Sequence, residues 1–279
     1  MAQIRVITDS ACDLPREIAE HLDIDIVSLT IRFGDEEFVD RVDLSPEQFW
    51  AMCKANKVLP ETAAPSPGAF QEAYERARGA GCDGVLVVTI SAALSATHQS
   101  ATLAAEAVAD SIPVRVVDTK AVSMAQGMLA MDVAELAKTG AGLDELERRA
   151  QQLVDRVGVC GTLDTLEHLV KGGRVGGARA LIGQVLSIKP LLALKDGVVT
   201  EAGRQRTRAK ALAAVAAVAR SHAPLARIAI AHGDASDVDT IVEMVRDIPS
   251  TEPLIVTDIG PVVGTHGGPR IVAVCWVGV

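Results

Sequence analysis

Short apolar runs alternate with longer stretches of helical period through the first half of the chain. Residues 4–8 read as a strand and residues 24–32 alternate polar and apolar positions as a second. Residues 83–90 carry the apolar run Gly-Val-Leu-Val-Val and residues 114–118 a shorter one, both strand-like. Between them Asp13-Leu14-Pro15, Ser45-Pro46-Glu47 and Ser66-Pro67 each place a capping residue ahead of a proline. Proline is at home in the first helical turn, so each predicts a helix start; the third helix runs to about Arg78. Further helices are predicted over 97–109, 121–138 and 143–157. Strand and helix in alternation predict a mostly parallel sheet covered on both faces, a three-layer α/β/α arrangement.

The second half has a different rhythm. A strand over 159–163 leads to a short helix over 165–170, then to Gly172-Gly-Arg-Val-Gly-Gly177 and a helix to about Ser187. Residues 190–195 and 198–202 flank Asp196-Gly197, a strong hairpin signal. A long helix from Thr207, strands over 228–231, 254–258 and 271–277, and a helix near 238–246 complete the chain. Hairpins mixed with helices predict an α+β unit. The expected division is an N-terminal α/β domain, residues 1–160, and a C-terminal α+β domain, residues 161–279.

At 279 residues, one or two domains are expected. The 49% of hydrophobic residues supports a large core, and the 3% of aromatics makes it aliphatic. Few rings and a formal charge of −9 argue against nucleic-acid binding, which needs stacking platforms or a basic surface. Five scattered cysteines without a C-x-x-C pair read as reduced, mostly buried thiols in a cytoplasmic protein. The amino-terminal residues have the pattern of a strand rather than a signal peptide, and no apolar run has the length of an integral membrane segment.

Three turns carry chemistry. Glu61-Thr-Ala-Ala-Pro-Ser-Pro-Gly68 precedes a helix. Thr89-Ile-Ser-Ala-Ala-Leu-Ser-Ala-Thr-His-Gln-Ser100 lies where a strand ends and a helix begins, gathering Ser91, Ser95 and Thr97. Ligands of open α/β sheets bind beyond the carboxyl ends of the strands, and a helix start adds unpaired N–H groups there. Gly260-Pro-Val-Val-Gly-Thr-His-Gly-Gly-Pro269 is expected as a turn between two late strands, with His266 in a glycine-rich setting. Together they offer donors suited to an ionised carboxylate, which only accepts hydrogen bonds. Capping and turn formation account for the same residues in a purely structural reading.

Other signatures are absent. Gly172–Gly177 lacks the lysine of a phosphate loop, because Ala178 stands in its place. There is no G-x-S-x-G elbow and no H-E-x-x-H. Asp9, Asp40, Asp43, Asp118 and Asp258 read as caps and turns, and Cys12 as a packed residue rather than a nucleophile. Arg204, Arg206, Arg208 and Lys210 form the one basic run, a solvated face or a dock for an acidic group.

Five segments, in order, resemble the DegV family across essentially the whole chain. They are Thr8-Asp-Ser-Ala-Cys-Asp-Leu14, Glu61-Thr-Ala-Ala-Pro-Ser66, Ile90-Ser-Ala-Ala-Leu-Ser-Ala-Thr-His-Gln-Ser-Ala101, Leu166-Glu-His-Leu-Val-Lys-Gly-Gly-Arg174 and Gly264-Thr-His-Gly-Gly-Pro269. The resemblance implies a two-domain lipid-binding protein that holds a long-chain fatty acid such as palmitate between its domains, without another cofactor. It implies carboxylate partners at Thr62, Ser95 and His266, joined by the backbone N–H of Ala96, with Arg206 near the head group. It also implies a partner: a separate ATP-dependent fatty acid kinase subunit, faced by Arg174, that makes an acyl phosphate. The chain itself would then be no enzyme. Ala63-Ala64, Ala96, His98 and Arg270 depart from the family pattern, while Thr62, Ser95 and His266 keep it.

An acyl chain needs an aliphatic tunnel, at roughly 0.8 kcal/mol per buried CH₂. Leu163, Leu166, Leu169, Ile182, Leu186, Ile188, Leu191 and Leu192 supply such material, most of it expected as core and some as tunnel wall. The rival is an acyl hydrolase or transferase using Ser95 with His266 as base. A third reading, a phosphate- or nucleotide-binding α/β protein, lacks its loop.

Overall fold

A computed structural model describes residues 2–56, 58–182 and 188–279 of the chain. The first elements are β1 (Ile4–Asp9), α1 (Arg16–Leu22), β2 (Ile24–Val27), β3 (Thr30–Phe33), β4 (Glu36–Val39), α2 (Pro46–Ala55) and β5 (Glu61–Ala63). There follow α3 (Pro67–Gly79), β6 (Gly84–Thr89), α4 (Thr97–Ala107), β7 (Val114–Asp118), α5 (Met124–Lys138) and α6 (Leu143–Val154). Then come β8 (Val157–Thr162), α7 (Glu167–Lys171), β9 (Lys189–Lys195), β10 (Val198–Gln205) and α8 (Arg208–Arg220). The last are β11 (Leu225–His232), α9 (Val238–Val245), β12 (Ile255–Asp258), α10 (Pro261–Gly267) and β13 (Val272–Gly278).

The expected parallel sheet is present in the order β2-β1-β6-β7, parallel at every junction. Side chains alternate between its faces. Ile7, Val85 and Val87 pack with Phe70, Tyr74, Ala101 and Ala104 of α3 and α4. Val6, Leu86 and Val88 face the other way, towards Met128, Leu129 and Leu146 of α5 and α6. A six-stranded sheet, β10-β9-β8-β13-β11-β12, lies beyond α5; β11 and β12 run parallel and the other neighbours antiparallel. Its strands alternate too: Ala229, Ala231, Ala273 and Cys275 face α5, while Ile228, Ile230, Val272 and Val274 face α8 and α9. Helix α5 therefore has a sheet on either side, and it is buried along Met124–Met131 and at Val133 and Ala134. A helix apolar all round is one buried all round.

The hairpin forms as expected. Asp196 and Gly197 take φ of 50° and 78°, the left-handed pair of a two-residue turn joining β9 to β10. Four expected elements need correction. The strand expected over 24–32 is two strands, since the chain leaves the parallel sheet after Val27. Its second half, β3, joins a small antiparallel sheet β4-β3-β5 that the hydrophobic pattern did not announce. Glu61–Ala63 is thus a strand rather than a turn. The 260–269 segment is helical over Pro261–Gly267, with Gly260 at the N-cap and Pro261 in the first turn. The helix expected up to Ser187 is a 3-10 turn over Gly176–Leu181; its expected remainder, 183–187, lies outside the described residues. The boundary expected at residue 160 falls inside β8, whose partners β13 and β9 are both later strands.

Candidate functional site

The inner face of the six-stranded sheet meets the carboxyl ends of the parallel sheet around a cavity with an empty volume of ≈ 930 Å³. The strand period of two sets most of its walls. Val159, Gly161 and Leu163 come from β8 and the residue after it, Leu192, Ala193 and Leu194 from β9, and Ile271 and Ala273 from β13 and the residue before it. Ile90, Leu94 and Val122 close the opposite side, and Ile259, Val262 and Val263 the roof.

Of the five polar side chains in its lining, Thr62, Ser95, Arg174 and His266 gather at one end of this apolar space, while Ser123 donates its hydroxyl to Asp13. Thr62 stands opposite Ile31 in the small sheet. Its hydroxyl meets His266 Nε2 at 2.9 Å across 204 residues of sequence. His266 is carried by α10, and packing rather than propensity fixes that helix. A Cβ on Gly264 would lie 2.7 Å from the Phe49 ring and 2.8 Å from Trp50, so only glycine lets α10 approach α2. Trp50 Nε1 donates to the Ile259 carbonyl (3.2 Å), and the Gly260 N–H donates to Asp13 Oδ1 (2.9 Å). On the far side, a Cβ on Gly172 would come within 2.2 Å of His266 Nδ1. Gly172 therefore clears the space the imidazole occupies. His168 Nδ1 contacts the Thr265 carbonyl at 3.0 Å, tying α7 to α10.

Ser95 lies in the turn after β6, where its hydroxyl contacts that of Thr97 (2.8 Å). Arg174 is half-buried; its Nε donates to the Leu94 carbonyl (3.0 Å) and its guanidinium also reaches the Gly172 carbonyl. One side chain thus holds the Ser95 turn against the end of α7. The turn is pinned again by Ser91, whose hydroxyl donates to the Gly197 carbonyl at the hairpin tip (2.8 Å). Burial, reinforced by Arg174 and His168, lowers the His266 pKa to about 4. The imidazole is therefore neutral at pH 7, with one ring N–H to donate. Outside this gate a small polar pocket, lined among others by Glu61, His168, Lys171 and Thr265, shares Thr62, Arg174 and His266 with the main cavity.

Thr62, Ser95, Arg174 and His266 thus meet as a group. Ala96 is the exposed N-cap of α4, next to Ser95 but outside the lining. Arg206 is exposed and lies outside the lining as well, so the arginine at the cavity is Arg174. Of the aliphatic residues expected between the domains, Leu163, Leu169 and Leu192 line the cavity. Leu166 and Leu191 are buried core, Ile188 packs on the core, and Ile182 is half exposed. Leu186 lies outside the described residues. Leu29, Ile90, Leu94, Val122, Ser123 and the 259–263 residues were not anticipated, although the alternation of β6 and the glycine-rich 260s pointed to their neighbourhood.

Asp9 and Asp118 do serve turns: Asp9 accepts from the Ala11 and Ile90 N–H groups and Asp118 from those of Ala92 and Lys120. Asp40 is fully buried, and burial raises its pKa to about 6. Cys12 is buried and its thiol pushed up to about 12, an inert group. Among the described residues no cluster of three His, Cys, Asp or Glu is placed to hold a metal, and no helix is long and apolar enough to cross a membrane.

A family model for the uncharacterised DegV proteins matches residues 3–279. A DegV domain-containing protein of Streptomyces coelicolor is 35% identical over 276 residues, covering 97% of each chain. Protein DegV of Bacillus subtilis is 31% identical over 280 residues, 98% of each. Among solved structures, a fatty-acid-binding DegV family protein of Thermus thermophilus superposes with a TM-score of 0.91 at 31% identity, over 99% of this chain and 100% of the other. DegV of Bacillus subtilis, described as a fatty acid binding protein, gives 0.87 at 27% identity over all of both chains.

Proposed function

The chain belongs to the DegV family, and we propose that it binds one long-chain fatty acid, of the palmitate kind, in the cavity between its two large sheets. The observation that carries this reading is the distribution of polarity: aliphatic walls, with Thr62, Ser95, Arg174 and His266 together at one end. A carboxylate taken out of water must be hydrogen-bonded. His266, neutral at pH 7, donates Nε2–H to the Thr62 oxygen, and the Thr62 hydroxyl then turns its own hydrogen to the ligand. Ser95 supplies a second hydroxyl, the Ala96 N–H at the start of α4 a further donor, and Arg174 the countercharge. Ten buried methylenes contribute roughly 8 kcal/mol before the costs of binding.

In this reading the protein is a carrier. It works in the cytoplasm and presents the acid to a separate ATP-dependent kinase subunit, which makes the acyl phosphate. The two domains divide near residue 160, at the start of β8, so that β8 stays with its partners β9 and β13. Arg174, between the cavity and the outer polar pocket, is the contact expected for that subunit. In an acyl-phosphate assay Arg174→Ala slows product formation more than it weakens fatty-acid binding; equal losses would remove the partner role. The hydrolase reading finds less support, because Ser95 is engaged with Thr97 and His266 with Thr62, leaving no hydrogen bond from base to nucleophile.

The test is denaturing mass spectrometry of an organic extract of the purified, untreated protein. A stoichiometric fatty acid is expected. An empty extract, together with no rise in melting temperature on adding palmitate, would overturn the carrier reading.

A further inference from the structure

Behind the apolar cavity lies a second, solvent-reaching pocket at the hairpin end of the six-stranded sheet. Its lining includes Lys120, Ala121, Ala125, Asp155 and Asp196. The two cavities have two lining residues in common, Val159 and Leu194. The register of β8 with β9 pairs Cys160 with Ala193 and Gly161 with Leu192. Carried one step further, it sets Val159 opposite Leu194. Each lies two residues along its strand from another wall residue, Gly161 and Leu192, so the pair shares the face that lines the tunnel.

The position of this pair along the tunnel follows from connectivity. β8 leads into α7, whose following residue Gly172 packs on His266, so Leu163 lies at the polar end and Val159 at the other. Four residues of strand span about 13 Å. An acyl chain entering past His266 and following β8 therefore ends against Val159 and Leu194.

We propose that Leu194, with Val159, is the stop that sets the acyl length this protein accepts, these two side chains separating the apolar tunnel from the more polar pocket behind them. The inference rests on the fatty-acid reading of the main cavity. The alternation of the strands supplies a smooth wall along the chain; a single cross-strand pair supplies its end. Truncating Leu194 to alanine removes its isopropyl group, joins the two cavities and admits a longer acid with no change at the carboxylate end.

The experiment is competition binding with saturated acids of increasing length to the full-length protein and to Leu194→Ala and Leu194→Phe. For Leu194→Ala the preferred length moves up, with acids two carbons longer gaining roughly tenfold relative to the acid the unmodified protein prefers. For Leu194→Phe the preferred length moves down. Leu194→Phe adds rather than removes side-chain volume, so the test survives if the alanine variant does not fold. The same length profile in both variants, or a uniform loss at all lengths, overturns the stop while leaving the fatty-acid reading intact. No binding at any length by the unmodified protein overturns both.

Discussion

The wall and the mouth of the cavity are built on different principles. The wall comes largely from strands: β8, β9 and β13 supply Val159, Gly161, Leu192, Ala193, Leu194 and Ala273, nearly all aliphatic. The mouth comes from a strand edge, a turn, a helix end and a short late helix, with Thr62 and His266 204 residues apart in sequence. Many interchangeable contacts make the wall tolerant of change. Four side chains, each held by its own packing, make the mouth sensitive to it.

That difference is sharpest at His266. His266→Ala removes the group that turns the Thr62 hydrogen towards the ligand, and so weakens the Thr62 hydrogen bond to the carboxylate. Hydrogen bonds to charged groups contribute about 1.5–3 kcal/mol, so titration calorimetry with palmitate is expected to show a loss of roughly 10- to 150-fold. Gly172→Ala touches no ligand, yet its Cβ meets His266 Nδ1. An affinity loss of about tenfold is expected, with the melting temperature of the ligand-free protein less affected than ligand binding. An unchanged affinity would show that the imidazole position does not matter.

On the wall, Leu163→Ala removes about three buried carbons from a surface shared by many, so palmitate affinity falls by less than its loss in His266→Ala. A larger fall there would erase the distinction between wall and mouth. The smallest effect belongs to Arg206→Ala: the side chain is exposed and away from the lining, and affinity stays within about twofold of the unmodified protein.

Titration separates the mouth from the interior in another way. His266 has a folded pKa of about 4, below its ordinary 6.5, so the unfolded chain takes up a proton first and stability falls as pH drops through this window. Asp13 is buried, where desolvation raises its pKa to about 7, so the stability it contributes is present at low pH and lost as pH rises towards 7. Urea unfolding at pH 4.5 and 6.5 separates them. Stability rises more steeply with pH in Asp13→Asn than in the unmodified protein, and less steeply in His266→Gln. Slopes identical to the unmodified protein in both variants would refute these assignments.

How far sequence alone reached follows the same division. The strands of the parallel sheet and the Asp196-Gly197 hairpin were legible because each is fixed by local alternation or by a turn that only certain residues adopt. The break between Val27 and Thr30 was not: both halves look like strand, and only the partners they find decide that they belong to different sheets. Helix α10 was missed because Val262, Val263, Gly264 and Thr265 are weak helix formers, and the contact of Gly264 with Phe49 and Trp50 cannot be read locally. Gly260-Pro261 nonetheless had the cap-then-proline grammar of the earlier helix starts. At the site, the motifs of the DegV resemblance pointed to Thr62, Ser95, Arg174 and His266, which the fold brings together. Arg206, which the resemblance also implied near the head group, lies outside the five matched motifs; it follows β10 and is exposed.

The central claim is that the mouth recognises a carboxylate and the wall an acyl chain. It is tested most directly by comparing palmitate with its methyl ester in competition binding to the delipidated protein. The ester keeps the chain and loses the charge. The account predicts that the ester binds at least tenfold more weakly, and that His266→Ala narrows the gap. Equal affinity for acid and ester would contradict it, leaving an apolar tunnel with no carboxylate site at its end.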